Sequence, residues 1–274
     1  MSRHTAFVPG HLTLFFSVVR TDDPVSTGSR GCGVTIQEGV YTSVEPGSGV
    51  TCNGEPIEME PVDRLLDALG VSASVRIETT LDLGTGFGVS GAATLGTALV
   101  ANDMFKCGLT ENELIRYAHI AEVEAGTGLG DVVAQARGGV PIRLEPGAPG
   151  EGELDGVPAR PRIEYLSLGS VSTSAVITGD VSTLSEAGHR ALDGLLVEPS
   201  IERAFELGWS FTREAKLFDD EVTSIIEAVH EMGGYASVGH LGRTVVALGD
   251  GLSRAGFDPT VTAVDPSGGT MLVA

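Results

Sequence analysis

The sequence contains almost no lysine. Only Lys106 and Lys216 are lysines among 17 basic residues, against 37 acidic residues and a formal net charge of −20 for 274 residues. Such an acidic surface repels polyanions, which argues against nucleic acids and anionic membranes as partners. An acidic, lysine-poor surface resembles that of a salt-accumulating halophile, so we expect high salt to stabilise the protein by screening its self-repulsion. An ordinary acidic protein is the alternative.

Cysteines are few, and long hydrophobic runs are lacking. Cys32, Cys52 and Cys107 form no C-x-x-C pair and have no zinc-like spacing with histidine, which predicts buried free thiols in a reducing compartment. Apolar runs such as Leu12 to Val19 are too short to cross a bilayer. Met1 to Gly10 lacks the pattern of a secretory signal. We therefore expect a soluble cytoplasmic protein, and the oligomeric state stays open, a homodimer included.

The chain does contain enough apolar residues for one large or two modest domains, since 42% of its residues are hydrophobic. Strand-like and helix-like patterns alternate in both halves, which indicates an α+β protein. The Pro- and Gly-rich segment Glu145 to Arg162 is the best candidate linker, so we place the domains at 1–150 and 151–274. The segment Asp22 to Gly31 is predicted as a polar turn, and Ser174 to Thr178 as a strand.

The densest glycine cluster follows a predicted strand and precedes a predicted apolar helix that begins at about Ser90. Backbone without Cβ atoms can turn several N–H groups toward one point, and a helix N-terminus adds further N–H groups and a positive dipole end. Such a loop suits phosphate, although a turn that merely packs a helix on a sheet is the alternative. The residues predicted to bind phosphate are Gly84, Gly86, Phe87, Gly88, Val89, Ser90, Gly91 and Ala92.

Two other nucleotide-binding patterns fit this loop poorly. A P-loop needs a lysine after its second glycine, and neither lysine of the chain follows a glycine-rich turn. Gly86, Gly88 and Gly91 match the dinucleotide pattern G-x-G-x-x-G. However, the region about twenty residues further on, near Glu111, is predicted to be helical rather than an acid-ended strand. An NAD-dependent oxidoreductase stays as a rival hypothesis.

Three oxygen-bearing side chains could turn a phosphate loop into a phosphotransferase. Ser90 in the first helical turn and Glu122 on the next predicted helix offer hard oxygen ligands for Mg²⁺. An N-cap role for Ser90 and a solvated Glu122 are the alternatives. Asp131, bracketed by glycines and by apolar Leu129 and Val132, could accept or orient the proton of an attacking hydroxyl. Its structural alternative is the N-cap of the short helix that follows.

Together, these motifs resemble the ordered motifs of the GHMP kinase superfamily, which includes mevalonate, homoserine and galactose kinases. The likeness is carried by Val8 to Leu14, Gly84 to Ala93 and Glu122 to Gly139. It implies a two-domain α+β fold, with an N-terminal S5-like α/β domain containing a left-handed βαβ unit and a C-terminal ferredoxin-like domain. It also implies ATP bound by the glycine loop, magnesium held by Ser90 and Glu122, and Asp131 as the catalytic residue.

Within the superfamily, the chain resembles the archaeal pantoate kinases. The matching stretches are Pro9 to Phe16, Gly28 to Gly33, Ala118 to Glu122, Thr127 to Gln135 and Gly139 to Arg143. This resemblance implies phosphorylation of the primary hydroxyl of pantoate, giving 4-phosphopantoate for coenzyme A synthesis. It implies that His11, Ser29, His119 and Arg143 bind the substrate, with Arg143 on its carboxylate. Another acceptor such as mevalonate or homoserine, and a nucleotide-binding regulator without catalysis, are the alternatives.

Two features depart from the superfamily pattern. His11 stands where mevalonate kinases have a lysine, which weakens any charge role at this position at pH 7. The C-terminal glycine-rich motif matches only loosely, as Gly233 to Gly242. We therefore expect that segment only to line the site near the nucleotide or the substrate.

Overall fold

A computed structural model of the protein describes residues 4–169, 181–217 and 219–272. The strands are β1 (Thr5–Val19), β2 (Gly28–Pro46), β3 (Val50–Cys52), β4 (Glu55–Ile57), β5 (Ala73–Thr79), β6 (Val140–Glu145), β7 (Glu153–Val157), β8 (Arg162–Ser167), β9 (Ala236–Gly239), β10 (Thr244–Leu248), β11 (Thr260–Ala263) and β12 (Thr270–Leu272). The helices are α1 (Glu60–Leu69), α2 (Val89–Phe105), α3 (Glu111–Ala125), α4 (Asp131–Arg137), α5 (Ser182–Val197), α6 (Ile201–Ala215), α7 (Asp220–Glu231) and α8 (Gly251–Arg254). The α+β class is confirmed, and the predicted strand at Ser174 to Thr178 lies outside the described residues.

The first sheet is mixed. Its main path runs in the order β12-β1-β2-β5-β3-β4, while β6 pairs with β2 and β7 pairs with β6. Strands β3 and β5 run parallel, with β4 and α1 in the connection between them, and the other pairs are antiparallel. Strands β7 and β12 both follow residue 150 in the chain, so the first sheet takes strands from both sides of the proposed domain boundary. That boundary stays a prediction.

The second sheet is antiparallel, in the order β11-β8-β10-β9. Along the chain, β8 is followed by the helices α5 to α7, then by β9 and β10, and then by α8 and β11. This is the β-α-β-β-α-β succession of a ferredoxin-like unit, with additional helices in the first connection. The ferredoxin-like expectation for the C-terminal part is therefore confirmed.

Helix α2 is the central helix, as its apolar sequence predicts. It packs on β1 and β2 of the first sheet and against α3 on another side. Helix α3 begins with the predicted capping box, in which Thr110 and Glu113 satisfy each other's backbone N–H groups. It ends at Gly126, whose φ of 69° is left-handed. These two helices bring the glycine loop and the turn before α4 together.

Strand β2 corrects the prediction of a polar turn that ends at Gly31. The segment Gly28 to Gly31 belongs to β2, where it pairs with β1, and Gly31 also pairs with Arg143 of β6. Gly31 is needed for close backbone packing, since a Cβ at this position would lie 2.2 Å from the carbonyl oxygen of Phe15. The pairing places Ser29 of β2 close to Arg143.

One hydrophobic core extends through both sheets. Ile163 and Tyr165 of β8 and Val246 of β10 belong to the same buried cluster as the apolar side chains of β1, β2 and α2. A smaller cluster that includes Ile226 and Val229 of α7 lies against the second sheet. No helix in the described ranges is long and apolar enough to span a membrane.

Candidate active site

The glycine loop between β5 and α2 forms one wall of a surface cleft of about 350 Å³, called here the phosphate cleft. Gly84, Gly86 and Gly88 have φ angles of 77°, 93° and 63°, which favour glycine. Gly88 is also the N-cap of α2, so the cleft meets the N-terminus of that helix. These features suit a phosphate group. Of the predicted residues, Gly84, Gly86, Phe87, Gly88, Val89 and Ser90 line the cleft, and Gly91 and Ala92 lie buried in the first turn of α2.

Ser90 and Glu122 meet at the back of the phosphate cleft. The Ser90 hydroxyl donates a hydrogen bond to Glu122 Oε1 at 2.7 Å, so Ser90 joins α2 to α3, and the N-cap position belongs to Gly88. Thr94 donates to the same oxygen at 3.0 Å, and Thr127 donates to Oε2 at 2.8 Å. Glu122 is only 2% exposed, so the alternative of a solvated helix acid is wrong.

The surroundings of Glu122 fit a hard metal ion. Burial raises the pKa of its carboxyl group, and the hydroxyl donors Ser90, Thr127 and Thr94 oppose that shift without cancelling it. Mg²⁺ binds carboxylate and hydroxyl oxygens of this kind as ligands, and it usually completes its coordination shell with phosphate oxygens and water. Throughout the described ranges, no three acidic, histidine or cysteine side chains cluster so as to hold a metal by themselves. The residues therefore fit magnesium bound together with a phosphate ligand.

Asp131 lies where the phosphate cleft meets a second, smaller cavity. It is the first residue of α4, whose N-cap is Gly130, so the alternative N-cap role for Asp131 is wrong. Its Oδ1 instead accepts a hydrogen bond from His11 Nδ1 at 2.7 Å. The backbone N–H of the buried His11 donates to the carbonyl oxygen of Phe87 at 2.9 Å. One residue of β1 thus connects the glycine loop to the candidate catalytic carboxylate.

The charges of this pair follow from its surroundings. Burial lowers the pKa of His11, and the hydrogen bond and negative charge of Asp131 only partly oppose this, so the ring is neutral at pH 7. Burial acts to raise the pKa of Asp131, but the His11 hydrogen bond and the positive charge of Arg143 help to outweigh it, and the pKa falls below its ordinary value. Asp131 is therefore an ionised carboxylate oriented by a buried imidazole. Because the ring lies behind Asp131, the predicted contact of His11 with substrate stays a prediction.

The smaller cavity, called here the acceptor cavity, contains two of the predicted substrate residues. It is lined by Thr13, Phe16, Ser29, Leu129, Gly130, Asp131, Arg143 and Leu241. Ser29 Oγ donates to the carbonyl oxygen of Leu129 at 3.3 Å. Arg143 is 2% exposed, and within the described part of the chain its Nε and Nη1 have no hydrogen-bond partner. The cavity therefore places a cation with free N–H donors near the Asp131 carboxylate.

His119 lies one helical turn before Glu122, on the same buried face of α3. Its Nε2 donates to the carbonyl oxygen of Thr27 at 2.8 Å. Burial lowers the pKa of His119, and this hydrogen bond only partly opposes the shift. Thr27 comes two residues before Ser29, so His119 supports the start of the strand that carries Ser29 into the acceptor cavity.

Comparison with known proteins agrees with this geometry. The profile of the GHMP kinases N terminal domain matches residues 59–139. A pantoate kinase from Thermococcus kodakarensis is 35% identical over 264 residues, covering 89% of this chain and 86% of that protein. A pantoate kinase from Methanocaldococcus jannaschii is 34% identical over 250 residues, covering 88% of this chain and 91% of that protein. This chain belongs to the pantoate kinase family.

Solved structures share the fold of this chain. A phosphotransferase described as related to the CoA biosynthesis pathway is similar with a TM-score of 0.86 and 28% identity, covering 98% of both chains. A homoserine kinase from Cytophaga hutchinsonii is similar with a TM-score of 0.70 and 16% identity, covering 99% of this chain and 98% of that one. The second likeness shows a shared fold. The GHMP kinase fold expected from the sequence resemblance is thus confirmed.

Two residues at the site of this pantoate kinase family member were not predicted from the sequence. Each lies four residues after a predicted site residue on the same helix, and this spacing indicates a shared helix face. Thr94 comes four residues after Ser90, so the two share one face of α2. Gln135 comes four residues after Asp131 on α4, and its Nε2 donates to the carbonyl oxygen of Gly88 at 2.9 Å. Both residues connect the glycine loop or its helix to the elements that carry the acidic side chains.

Proposed function

We propose that this protein transfers the γ-phosphoryl group of ATP to the primary hydroxyl of pantoate, giving 4-phosphopantoate for coenzyme A synthesis. The pantoate kinase relatives and the acceptor cavity support this proposal. We place the reaction in the cytoplasm, which is consistent with the free thiols of Cys32, Cys52 and Cys107. Cys32 and Cys52 are buried as predicted, whereas Cys107 is only half-buried.

The observation that carries the proposal is that two nitrogens of the buried Arg143 guanidinium lack an acceptor among the described residues. Burial lowers the pKa of Arg143, and the negative charge of Asp131 acts in the opposite direction. A buried cation whose N–H groups lack acceptors is costly unless a ligand supplies them. Its Nε and Nη1 have no partner among the described residues, and each can donate a charge-assisted hydrogen bond to a ligand carboxylate. An acceptor substrate with a carboxylate therefore suits this cavity.

The arrangement supports the following placement for the two ends of pantoate. Its carboxylate would pair with Arg143, close to the hydroxyl of Ser29. Its primary hydroxyl would lie at Asp131, which lines both cavities. The triphosphate would occupy the phosphate cleft, with its outer phosphate toward Asp131. Catalysis would then depend largely on positioning, which converts an encounter of two substrates into a reaction within one site.

Ser90 and Glu122 would hold magnesium between the phosphate cleft and α3. When bound, the ion neutralises negative charge on the phosphate oxygens. The chain supplies the rest of the arrangement: the glycine loop orients the phosphates through its backbone N–H groups, and Gln135 fixes the carbonyl group of Gly88 at the start of α2.

In the transfer, the hydroxyl oxygen of pantoate bonds to the γ-phosphorus while the bond from that phosphorus to the bridging oxygen of ADP breaks. The hydroxyl proton passes to Asp131. Because the pKa of Asp131 lies below its ordinary value, the carboxylate is a weak base that orients the hydroxyl before it accepts the proton. Late proton transfer agrees with the loose transition state of phosphoryl transfer.

A coupled ADP assay in molar KCl with pantoate, mevalonate and homoserine tests the proposal. We expect turnover with pantoate and a single product phosphorylated on the primary hydroxyl, identified by ³¹P NMR. Turnover of mevalonate or homoserine without turnover of pantoate would contradict the proposed substrate. Binding of ATP without phosphorylation of any hydroxy acid would favour a regulator, and tight NAD binding without ATP binding would favour the oxidoreductase.

A further inference from the structure

The loop between β9 and β10 has no role in the reaction described above, yet it forms part of both cavities. It consists of residues 240–243 at the end of the C-terminal glycine-rich segment. Leu241 lines both the phosphate cleft and the acceptor cavity, and so does Asp131 at the start of α4. The loop therefore covers the point where the two substrates would meet.

Leu241 has a φ of 67°, a left-handed conformation that is unfavourable for a residue with a large side chain. Both flanks of Leu241 are fixed. On one side, the backbone N–H of His240 donates to the carbonyl oxygen of Thr13 at 2.9 Å. On the other side, the hydroxyl of Thr244 donates to the carbonyl oxygen of Thr85 at 2.8 Å. These contacts hold the strained residue in place.

The loop also rests directly on the glycine loop. A Cβ on Gly242 would lie 1.9 Å from the carbonyl oxygen of Thr85, so the backbones touch at this point. Strain that the surroundings maintain is found mainly at functional sites, where it fixes a side chain in a required place. Here the side chain so placed is the apolar group of Leu241.

The acceptor cavity combines polar ends with an apolar wall. Arg143 and Ser29 supply its polar part, while Phe16, Leu129 and Leu241 supply apolar side chains. The free volume is about 20 Å³, the size of a single water molecule, so an acceptor can enter only if part of the wall moves. Phe16 is 3% exposed and packs on Phe211 with ring centroids 5.6 Å apart. The side chain of Leu241 is half-buried, so it can change its rotamer to admit an acceptor while its backbone stays held.

We propose that Leu241 is a specificity-determining residue that contacts the dimethyl-substituted carbon of pantoate. The inference rests on the proposed function. Pantoate has a carboxylate at one end, a primary hydroxyl at the other, and between them a carbon that bears two methyl groups. With its ends at Arg143 and Asp131, that carbon falls beside the apolar wall, where burial of the methyl groups against Leu241 favours binding.

The test compares kcat/KM for pantoate with kcat/KM for 2,4-dihydroxybutanoate, which lacks the two methyl groups. Leu241→Asn keeps a side chain of similar size that tolerates the left-handed conformation but makes it polar. Leu241→Gly removes the side chain and the strain together. In both variants we expect the preference for pantoate over the unmethylated acid to fall by about tenfold or more, with the KM for ATP unchanged.

Leu196→Asn is the matched control, because Leu196 is an exposed leucine on α5 and lines neither the phosphate cleft nor the acceptor cavity. Its preference for pantoate should equal that of the wild type. An unchanged preference in both Leu241 variants would overturn the inference while leaving the proposed function intact, as would a rise in the KM for ATP alone. Absence of pantoate turnover by the wild type would instead contradict the proposed function itself.

Discussion

Asp131 differs from the other acidic residues because a buried histidine binds its carboxylate at the meeting point of the two cavities. His11 Nδ1 binds Oδ1 at 2.7 Å, and the side chain is 19% exposed where the phosphate cleft meets the acceptor cavity. The lowered pKa keeps the group ionised at neutral pH. A carboxylate fixed in this way can orient one hydroxyl toward a phosphate, which is the role proposed for it.

Asp131→Asn should lower kcat with pantoate by at least about two orders of magnitude, because the amide cannot accept the hydroxyl proton. The KM for ATP should change little, since the glycine loop and Ser90 are untouched. Steady-state kinetics with each substrate varied in turn measures both effects. Asp193→Asn, an exposed acid on α5, serves as the control. Near-normal turnover by the Asp131 variant would leave that residue without a catalytic role.

At the scale of elements, helix α3 serves both cavities. Glu122 accepts hydrogen bonds from Ser90 and Thr127 at the phosphate cleft, and one turn earlier His119 holds the carbonyl group of Thr27 at the start of β2. The shared face follows from the i, i+3 spacing of the helix. A change in the position of α3 would therefore affect the binding of both substrates. Substitution of His119 alone should affect the binding of pantoate only.

His119→Ala should raise the KM for pantoate by about fivefold, the effect of losing one hydrogen bond that positions the strand bearing Ser29. The KM for ATP should stay unchanged. Initial-rate kinetics gives both constants, and His119→Gln, which can still donate to Thr27, should recover part of the loss. Equal increases in the two KM values would show that His119 supports α3 as a whole.

Local sequence signals explain which elements could be predicted. The capping box at Thr110 and the left-handed Gly126 define both ends of α3 without any tertiary contact. The segment that ends at Gly31 resembled a turn because its glycines carry the same signal whether they bend the chain or admit a neighbouring backbone. Only the pairing of β2 with β1 and β6 distinguishes the two cases.

The candidate site also has a part that could be predicted from the sequence and a part that could not. The glycine loop, Ser90, Glu122 and Asp131 were found because their motifs are local or match a family pattern. The hydrogen bond between His11 and Asp131 joins residues 120 positions apart, and the left-handed conformation of Leu241 depends on anchors in β1 and the glycine loop. No spacing rule reveals contacts of this kind.

At the scale of the whole molecule, the charge of −20 should dominate the response to salt. Raising ionic strength from about 0.1 M to 1 M shortens the screening length from about 10 Å to about 3 Å and so weakens self-repulsion. We expect the midpoint of thermal unfolding, followed by circular dichroism, to rise steadily with KCl over this range. A midpoint that does not change with KCl would contradict the halophile prediction.

Three buried histidines should make stability depend on pH. Burial lowers the pKa of His11, His119 and His240, and that of His240 falls from 6.5 to about 3. Below the unfolded pKa the unfolded chain binds protons that the folded protein excludes, so the histidine contribution to stability is lost as pH falls from 6.5 toward 3. It is fully present above that window.

Denaturant unfolding at fixed KCl should therefore give a smaller free energy of unfolding at about pH 5.5 than at about pH 7.5. The variant His240→Gln removes one titrating group and should flatten this dependence, because glutamine can still hydrogen-bond to Thr212. A variant with the same dependence as the wild type would contradict the assignment of this effect to His240.

In the proposed reaction, recognition of pantoate depends most directly on Arg143, and the Michaelis constants of Arg143 variants for the two substrates test that dependence. Arg143→Ala should raise the KM for pantoate by roughly a hundredfold, since it removes a buried charge-assisted pair with the carboxylate. The KM for ATP should stay close to that of the wild type. Arg143→Lys keeps the charge but loses the planar guanidinium, so its KM for pantoate should lie between those of the wild type and Arg143→Ala. Equal increases in both constants, or an unchanged KM for pantoate, would contradict the assignment of Arg143 to the carboxylate.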